Sequence, residues 1–128
     1  MATIKQTVTI PAPPAKVYAA LLDSKQHSEF TGDTAKMSPR VGGSWSAFSG
    51  YATGKNLELV PGKKIVQTWR ASDWPKGQGD STATFSLSKI KNGTKLTFTQ
   101  VNVPAGQAKS ITDGWKEYYW GPLKKFFA

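Results

Sequence analysis

The sequence predicts an α+β fold in which a long C-terminal helix packs across a curved antiparallel sheet of six or seven strands. Between residues 41 and 101, apolar and polar side chains alternate in short runs separated by glycine and proline, which is typical of antiparallel strands. Two short helical patterns precede these runs. Residues 107–127 return to helical spacing and carry many aromatic side chains. Because the apolar face of an antiparallel sheet must be covered, we expect this last segment to cover it.

Composition indicates one compact domain spanning residues 1–128. No linker, repeat or low-complexity tract divides the 128 residues, which is an ordinary length for a single domain. Cysteine is absent and His27 is the single histidine, which excludes a zinc site built from thiolates or several imidazoles. We therefore expect no metal and no other cofactor. The sequence contains neither a signal-peptide pattern nor an apolar run of bilayer length, so a cytoplasmic location is expected.

The formal net charge of +9 suggests a nucleic-acid partner, but the distribution of the charge argues against one. Most lysines are scattered singly along the chain, and arginine occurs only at Arg40 and Arg70. Arginine is the side chain that best recognises phosphates and guanine edges. The pattern therefore favours a well-solvated basic surface, and we expect neither nucleic acid nor a membrane as partner.

The first part of the chain predicts one strand and two short helices. Residues 3–10, TIKQTVTI, alternate apolar and polar side chains as a half-buried strand does. Pro13 and Pro14 suit the first turn of a helix, where a missing amide costs little, and this helix is expected to reach residue 23. Ser24 can cap a second helix that extends through Glu29.

Strand signals dominate the middle of the chain. Pro61-Gly62 fits the central positions of a type II turn, and Asn92-Gly93 fits a type I′ hairpin turn. Alternating or continuous apolar runs lie between such turns. The predicted strands are SWSAFS, KNLELV, IVQTWRA, STATFSLSKI and TKLTFTQV, at residues 44–49, 55–60, 65–71, 81–90 and 94–101.

The terminal segment has one strongly aromatic face. At helical spacing this face contains Ile111, Trp115, Tyr118, Tyr119, Pro122 and Phe126. Proline inside a helix costs about 3 kcal/mol and glycine about 1 kcal/mol. Burying the aromatic face is worth on the order of 10 kcal/mol before entropy, so we expect a kinked helix that continues beyond Trp120.

Five sequence words, in order and at matching spacing, resemble a known family. They are HSEFTG, PRVGGSW, FSGYATGKNLELVPGKKIVQTWR, DWPKG and GWKEYYW, at residues 27–32, 39–45, 48–70, 73–77 and 114–120. Together they resemble the carboxy-terminal domain of the activator of the heat-shock protein 90 ATPase and the stand-alone proteins related to it. The resemblance covers about residues 10–127 and implies the helix-grip fold, also called START-like, Bet v 1-like or SRPBCC. It also implies a heat-shock protein 90-type chaperone as partner, which the two-domain members hold mainly through an amino-terminal domain absent from these residues.

Helix-grip proteins often leave a cavity between sheet and helix, so the inward-facing aromatic residues have two readings. They can form a filled core, or they can line a cavity for a small hydrophobic ligand in which Gln67 and Gln100 supply polar groups. The sequence is equally compatible with both. The candidate cavity residues are Trp45, Gln67, Trp69, Phe85, Phe98, Gln100, Trp115 and Tyr119.

Two further groups of residues are singled out by strand alternation and helical spacing. Arg70 points away from the core on a central strand, and we expect it to pin the loop behind it through an ion pair with Asp73, with Glu58 or a loop carbonyl as alternative partners. An exposed partner surface is predicted from aromatic and basic residues that fall outside the buried faces. It consists of Trp74, Trp120, Lys124, Lys125 and Phe127.

No pattern predicts a catalytic residue. The G-x-G at residues 77–79 lacks the strand and helix of a phosphate loop, and no carboxylate pair belongs to a motif. The sequence therefore favours a non-enzymatic, co-chaperone-like or stress-related binding protein, a monomer or weak homodimer. The alternative is a carrier of a small hydrophobic ligand. A START-like hydrolase or cyclase is a third reading, for which Arg70, Gln67 and Tyr119 are the first residues to test.

Overall fold

The computed structural model describes all of residues 1–128 and contains one six-stranded antiparallel sheet, in the order β1-β6-β5-β4-β3-β2. The first strand, β1, lies at one edge of the sheet and pairs with the last strand, β6. The strands are β1 Ala2–Ile10, β2 Ser44–Ala47, β3 Ala52–Val60, β4 Lys64–Ala71, β5 Ser81–Ile90 and β6 Gly93–Val103.

All the helices pack on one face of this sheet. Two short helices, α1 Pro14–Leu22 and α2 Ser24–Thr31, lie between β1 and β2. The chain ends in one long helix, here called the terminal helix, with four consecutive parts: a 3₁₀ turn Ala105–Gln107, α3 Ala108–Trp115, a π turn Lys116–Trp120 and α4 Gly121–Phe126. The predicted α+β helix-grip architecture is confirmed, with six strands. No helix is long and apolar enough to cross a membrane.

Turn chemistry explains two of the strand connections. Gly62 adopts a φ of 71°, and the Lys63 amide donates to the Val60 carbonyl at 2.9 Å, as the predicted type II turn requires. The hairpin between β5 and β6 differs from the prediction by one residue. Ile90 pairs with Gly93, and Asn92 has a φ of 66°. Gly93 is instead needed for a close approach, since a Cβ there would lie 2.3 Å from the Ile10 carbonyl oxygen.

The terminal helix passes Pro122 by means of the π turn. The Gly121 amide donates to the Lys116 carbonyl, five residues earlier, so this turn holds one extra residue. Pro122 then lies in the first turn of α4, where the missing amide is tolerated. The helix thus continues beyond Trp120, as the sequence predicted.

The wide turn also changes which aromatic side chains face the sheet. In a regular helix, residues five apart point roughly 140° away from each other. In the π turn they align, and the rings of Trp115 and Trp120 stack with centroids 5.4 Å apart. Trp120 is therefore only 2% exposed, and the prediction that it belongs to an exposed partner surface is wrong. Tyr118, predicted to face the sheet, is 52% exposed.

Hydrogen bonds anchor the π turn to two other elements. The Trp120 indole donates to Gln6 Oε1 on β1 at 2.7 Å, and Gln6 Nε2 donates to the Thr112 carbonyl at 3.0 Å. On the other side, the Tyr119 hydroxyl lies 3.0 Å from Nε2 of His27 on α2. The Leu21 carbonyl, 3.0 Å from Nδ1, can only accept, so the proton of the neutral imidazole is on Nδ1 and Nε2 accepts from the tyrosine.

The buried Trp120 gives a direct test of the π turn. We expect Trp120→Ala to lower the free energy of unfolding by about 3–5 kcal/mol, because it removes a large core side chain and leaves Gln6 without its donor. The neighbouring Tyr118→Ala is the control and should cost less than about 1 kcal/mol. Urea denaturation measures both. Equal costs, or the reverse order, would show that the terminal helix is wound as a regular α-helix.

The buried histidine makes stability depend on pH. Burial lowers the pKa of His27 to about 4, although its hydrogen bond to the Leu21 carbonyl opposes the shift. Since the pKa in the unfolded chain is about 6.5, the unfolded state binds the proton first. The stabilisation from the neutral His27 is therefore fully present above about pH 6.5. The free energy of unfolding falls as the pH drops towards 4, by about 2 kcal/mol at pH 5.

Urea denaturation between pH 5 and 8 measures this effect, with His27→Gln as the matched variant because it keeps a polar side chain and cannot titrate. We expect the wild-type free energy of unfolding to fall as the pH is lowered from 8 to 5, while that of the variant stays nearly flat. Parallel profiles for the two proteins would contradict the burial of a neutral imidazole.

Candidate functional site

An open apolar groove lies beside the terminal helix, where α3 and the π turn face β4 and the β2–β3 connection. Its volume is about 380 Å³, and seven of its ten lining residues are hydrophobic. Pockets of this size and character are typical of small-molecule sites. The lining residues are Asp33, Phe48, Tyr51, Trp69, Ser110, Ile111, Gly114, Trp115, Tyr118 and Tyr119.

One wall of the groove is a tightly held turn between β2 and β3. Phe48 and Ser49 adopt φ values of 54° and 56°, a left-handed backbone that side chains other than glycine rarely take. Two hydrogen bonds hold this turn: the Ser49 amide donates to the Thr34 carbonyl at 3.0 Å, and the Ser49 hydroxyl donates to Asp33 Oδ1 at 2.6 Å. Strain of this kind persists only where the surroundings impose it. The turn places the Phe48 ring against Tyr118 and Tyr119.

Asp33 is the one charged residue that lines the groove. The Ser49 hydroxyl, and then the Thr34 amide at 2.7 Å, hold the pKa of the Asp33 carboxyl below its usual range. Both hydrogen bonds fall on Oδ1, so Oδ2 is left for solvent or a ligand. At neutral pH the groove therefore has an ionised carboxylate at its edge.

Tyr51 lies at the outer rim of the groove, and Asp73 lies close to its phenol. Partial burial raises the pKa of the Tyr51 phenol, and the charge of the nearby Asp73 carboxylate and a hydrogen bond to it raise that pKa further. Asp73 thus acts on Tyr51. The predicted ion pair between Arg70 and Asp73 is wrong.

Arg70 instead holds the loop from the other side. Its guanidinium lies 3.6 Å from Asp80 Oδ1 and donates to the carbonyl oxygens of Gln78 and Pro75. The loop after β4 leads into β5, which lies beside β4 in the sheet. The carboxylate that reaches Arg70 is therefore that of Asp80, directly before β5. An arginine that satisfies its donors on loop carbonyls has a structural role.

The interior beneath the helix is nearly full. The void among the predicted cavity residues Trp45, Gln67 and Phe85 measures about 10 Å³, room for at most one water. Phe98 is fully buried and packs against Trp115, with the two ring centroids 4.2 Å apart. A ligand cavity at this place is therefore excluded, and these residues form core.

Both inward-facing glutamines have hydrogen-bond partners within the protein. Gln67 donates to Asn56 Oδ1 at 3.0 Å. Gln100 accepts from the Trp115 indole at 2.8 Å and donates to Ser81 Oγ at 2.9 Å. Gln100 therefore has both of its polar atoms engaged, whereas Gln67 Oε1 accepts no hydrogen bond within the protein.

Three of the predicted cavity residues, Trp69, Trp115 and Tyr119, reach the groove instead. Seven groove residues were not singled out as site residues from the sequence: Asp33, Phe48, Tyr51, Ser110, Ile111, Gly114 and Tyr118. The first three lie in connections, where periodicity carries no information, and Tyr118 was assigned to the buried face. The phrase FSG at residues 48–50 marks a turn, but only the structure shows that this turn approaches the helix.

The predicted partner surface is reduced by the structure. Trp74 is 5% exposed and packs against Trp69, with ring centroids 5.6 Å apart, so its predicted exposure is wrong. Neither indole N–H of this pair has a hydrogen-bond partner in the protein. Lys124 and Lys125 are exposed in the last turn of α4, and Phe127 is half-buried beside Phe126. These three residues are what remains of the surface.

A second depression lies on the opposite, helix-free face of the sheet. Its volume is about 690 Å³, but only two of its eleven lining residues are hydrophobic. The others include Lys36, Lys55, Arg70 and several residues with hydroxyl groups. Such a surface is well solvated and lacks the apolar wall that holds a small molecule. Nowhere do three His, Asp or Glu side chains lie close enough together to hold a metal ion.

Comparison with known proteins places this geometry in a family. The family model described as "Activator of Hsp90 ATPase homolog 1-like protein" matches residues 11–128. The chain is 32% identical over 127 residues to the Homo sapiens "Activator of 90 kDa heat shock protein ATPase homolog 1", covering 98% of this chain and 36% of that protein. A Dictyostelium discoideum homologue of the same activator is 30% identical, with 98% and 33% covered. The chain thus spans about a third of the length of these curated relatives.

Solved structures agree with this assignment. An HSP90 activator from Plasmodium falciparum superposes with a TM-score of 0.90 at 28% identity, covering 98% of this chain and 95% of that one. The Aha1 dimer from Colwellia psychrerythraea, at 21% identity and a TM-score of 0.83, shares the fold over 98% of this chain and 96% of that one. With the match over residues 11–128, the chain belongs to the Activator of Hsp90 ATPase homolog 1-like family.

Proposed function

We propose that this protein is a non-enzymatic, cytoplasmic, co-chaperone-like factor that binds a 90-kDa heat-shock chaperone and stimulates its ATPase. The observation that carries the proposal is the likeness to the Plasmodium falciparum HSP90 activator. This chain covers 95% of that protein at a TM-score of 0.90, so the two correspond over nearly their whole lengths. The longer curated relatives are weaker guides, because the chain spans only about a third of each.

The end of the terminal helix is the surface we assign to the chaperone. Lys124 and Lys125 are exposed side by side there, and Phe127 adds a partly exposed ring. Basic side chains around an aromatic residue can steer and hold an acidic partner surface. No ion pair within the protein occupies either lysine. Both are therefore free to pair with carboxylates of a partner.

Co-precipitation with the chaperone of the same organism and measurement of its ATPase rate test the proposal. We expect the wild-type protein to bind and to raise the rate. The double substitution Lys124→Gln and Lys125→Gln should weaken binding about three- to tenfold, because each rim charge contributes modestly to association. The matched control is Lys89→Gln with Lys91→Gln, which removes the same charge from the exposed β5–β6 hairpin.

Loss of binding in both double variants would show that net charge matters and that the helix end has no special role. A wild-type protein that neither binds the chaperone nor changes its ATPase rate would overturn the proposed function itself.

Binding of a small apolar ligand is a second candidate function, supported by the groove of about 380 Å³ with seven hydrophobic residues among the ten that line it. Gly114 lies in its helical wall, and a Cβ there would meet nothing nearer than Tyr118 Cδ2 at 3.8 Å. A larger side chain at this position can therefore extend into the groove without disturbing the fold. Leucine is also a better helix former than glycine by close to ~1 kcal/mol.

Native mass spectrometry of the purified protein tests the second candidate. We expect a bound apolar compound on the wild-type protein and its loss in Gly114→Leu. Gly106→Leu is the matched control, since nothing lies within 4 Å of a Cβ at that position, away from the groove. An adduct retained in Gly114→Leu would place the ligand elsewhere, and a wild-type protein free of adducts and unable to bind apolar probes would contradict the candidate.

A further inference from the structure

The wall of the groove is unusually rich in aromatic rings. Six of the ten lining residues are aromatic: Phe48, Tyr51, Trp69, Trp115, Tyr118 and Tyr119. Their ring planes are inclined to one another. Phe48 meets Tyr119 at 70° and 5.6 Å, and Trp115 meets Tyr119 at 48° and 4.4 Å between centroids. The faces of aromatic rings carry partial negative charge, so the rings that border the groove can attract a cation.

The charge of the groove has the same sign as these faces. The chain contains 17 lysines and arginines against eight acids, yet none of the ten lining residues is basic and one, Asp33, is acidic. The carboxylate remains ionised at neutral pH, with Oδ2 unoccupied by protein donors. In a protein of net charge +9, the one charged group that lines the groove is thus negative.

We infer that the groove binds a small organic ammonium compound, with its cationic head among the aromatic faces near Asp33 and its hydrocarbon part along the helix. Aromatic faces attract ammonium groups most strongly when water is excluded, and a nearby carboxylate adds to the attraction. The apolar residues along α3, such as Ile111, accommodate the remainder of the molecule. The same features disfavour an anion, which would meet both the carboxylate and the negative ring faces. This inference rests on the second candidate function, binding of a ligand in the groove, and specifies its chemistry.

A pair of isosteric probes tests the inference. Benzyltrimethylammonium and neopentylbenzene have the same shape and differ in the charge of one central atom. We expect both to shift the NMR signals of the Trp69 and Trp115 indoles, and the cation to bind about tenfold more tightly at physiological salt. Titrations of the protein give both dissociation constants.

Two substitutions separate the contributions to binding. Asp33→Asn should weaken the cation about three- to tenfold and leave the neutral probe unchanged, since it removes only charge. Tyr118→Leu should do the same, because leucine keeps an apolar surface but has no π face. Glu58→Gln is the matched control: it removes one exposed carboxylate that pairs with Lys64, far from the groove lining, and should change neither constant.

Each result decides between the two claims. Equal affinity for the two probes, or a cation affinity that Asp33→Asn does not change, would overturn the ammonium inference while the groove remained an apolar site. Failure of both probes to bind would overturn the inference together with the second candidate function. A preference for the cation that is lost in Asp33→Asn and kept in Glu58→Gln would establish the site.

Discussion

The arrangement of this protein depends on one turn of its terminal helix. Pro122 cannot continue a regular helix, and the π turn at Lys116–Trp120 accommodates it by adding one residue. The added residue brings Tyr119 and Trp120 onto the same side, where both are buried. Tyr119 then meets His27 on α2, and Trp120 meets Gln6 on β1. A single backbone irregularity thus connects the helix to both neighbouring elements.

Filling the interior has a consequence for where a ligand can bind. With Trp115, Trp120 and the phenylalanines of β5 and β6 packed together, the space under the helix holds no more than about one water. The same turn that brings Trp120 inward leaves Tyr118 outside, 52% exposed. Tyr118 joins Phe48 and Tyr51 at the side of the helix, and the groove forms there. The usable pocket is therefore lateral to the helix.

The two proposed activities use different parts of the terminal helix. The chaperone surface is at its last turn, around Lys124 and Lys125, whereas the groove is lined by α3 and the π turn, including Gly114 and Tyr118. Substitutions at Lys124 and Lys125 therefore leave the residues that line the groove unchanged.

The sequence by itself determined the α+β class, the strand and helix order and the family, because periodicity, turn residues and five words in register are local signals that survive folding. It also predicted that the helix would continue past Pro122 and that Trp69, Trp115 and Tyr119 would lie between the sheet and the helix. Only the tertiary structure decided that Trp120 is buried and Tyr118 exposed. Helical spacing assumes a uniform turn, whereas the residue added in the π turn changes the direction in which the neighbouring side chains point. It likewise decided that Arg70 meets Asp80, and that Asp33, Phe48 and Tyr51 converge on a groove. These contacts join segments that are not adjacent along the chain, and no local pattern encodes a distance through space.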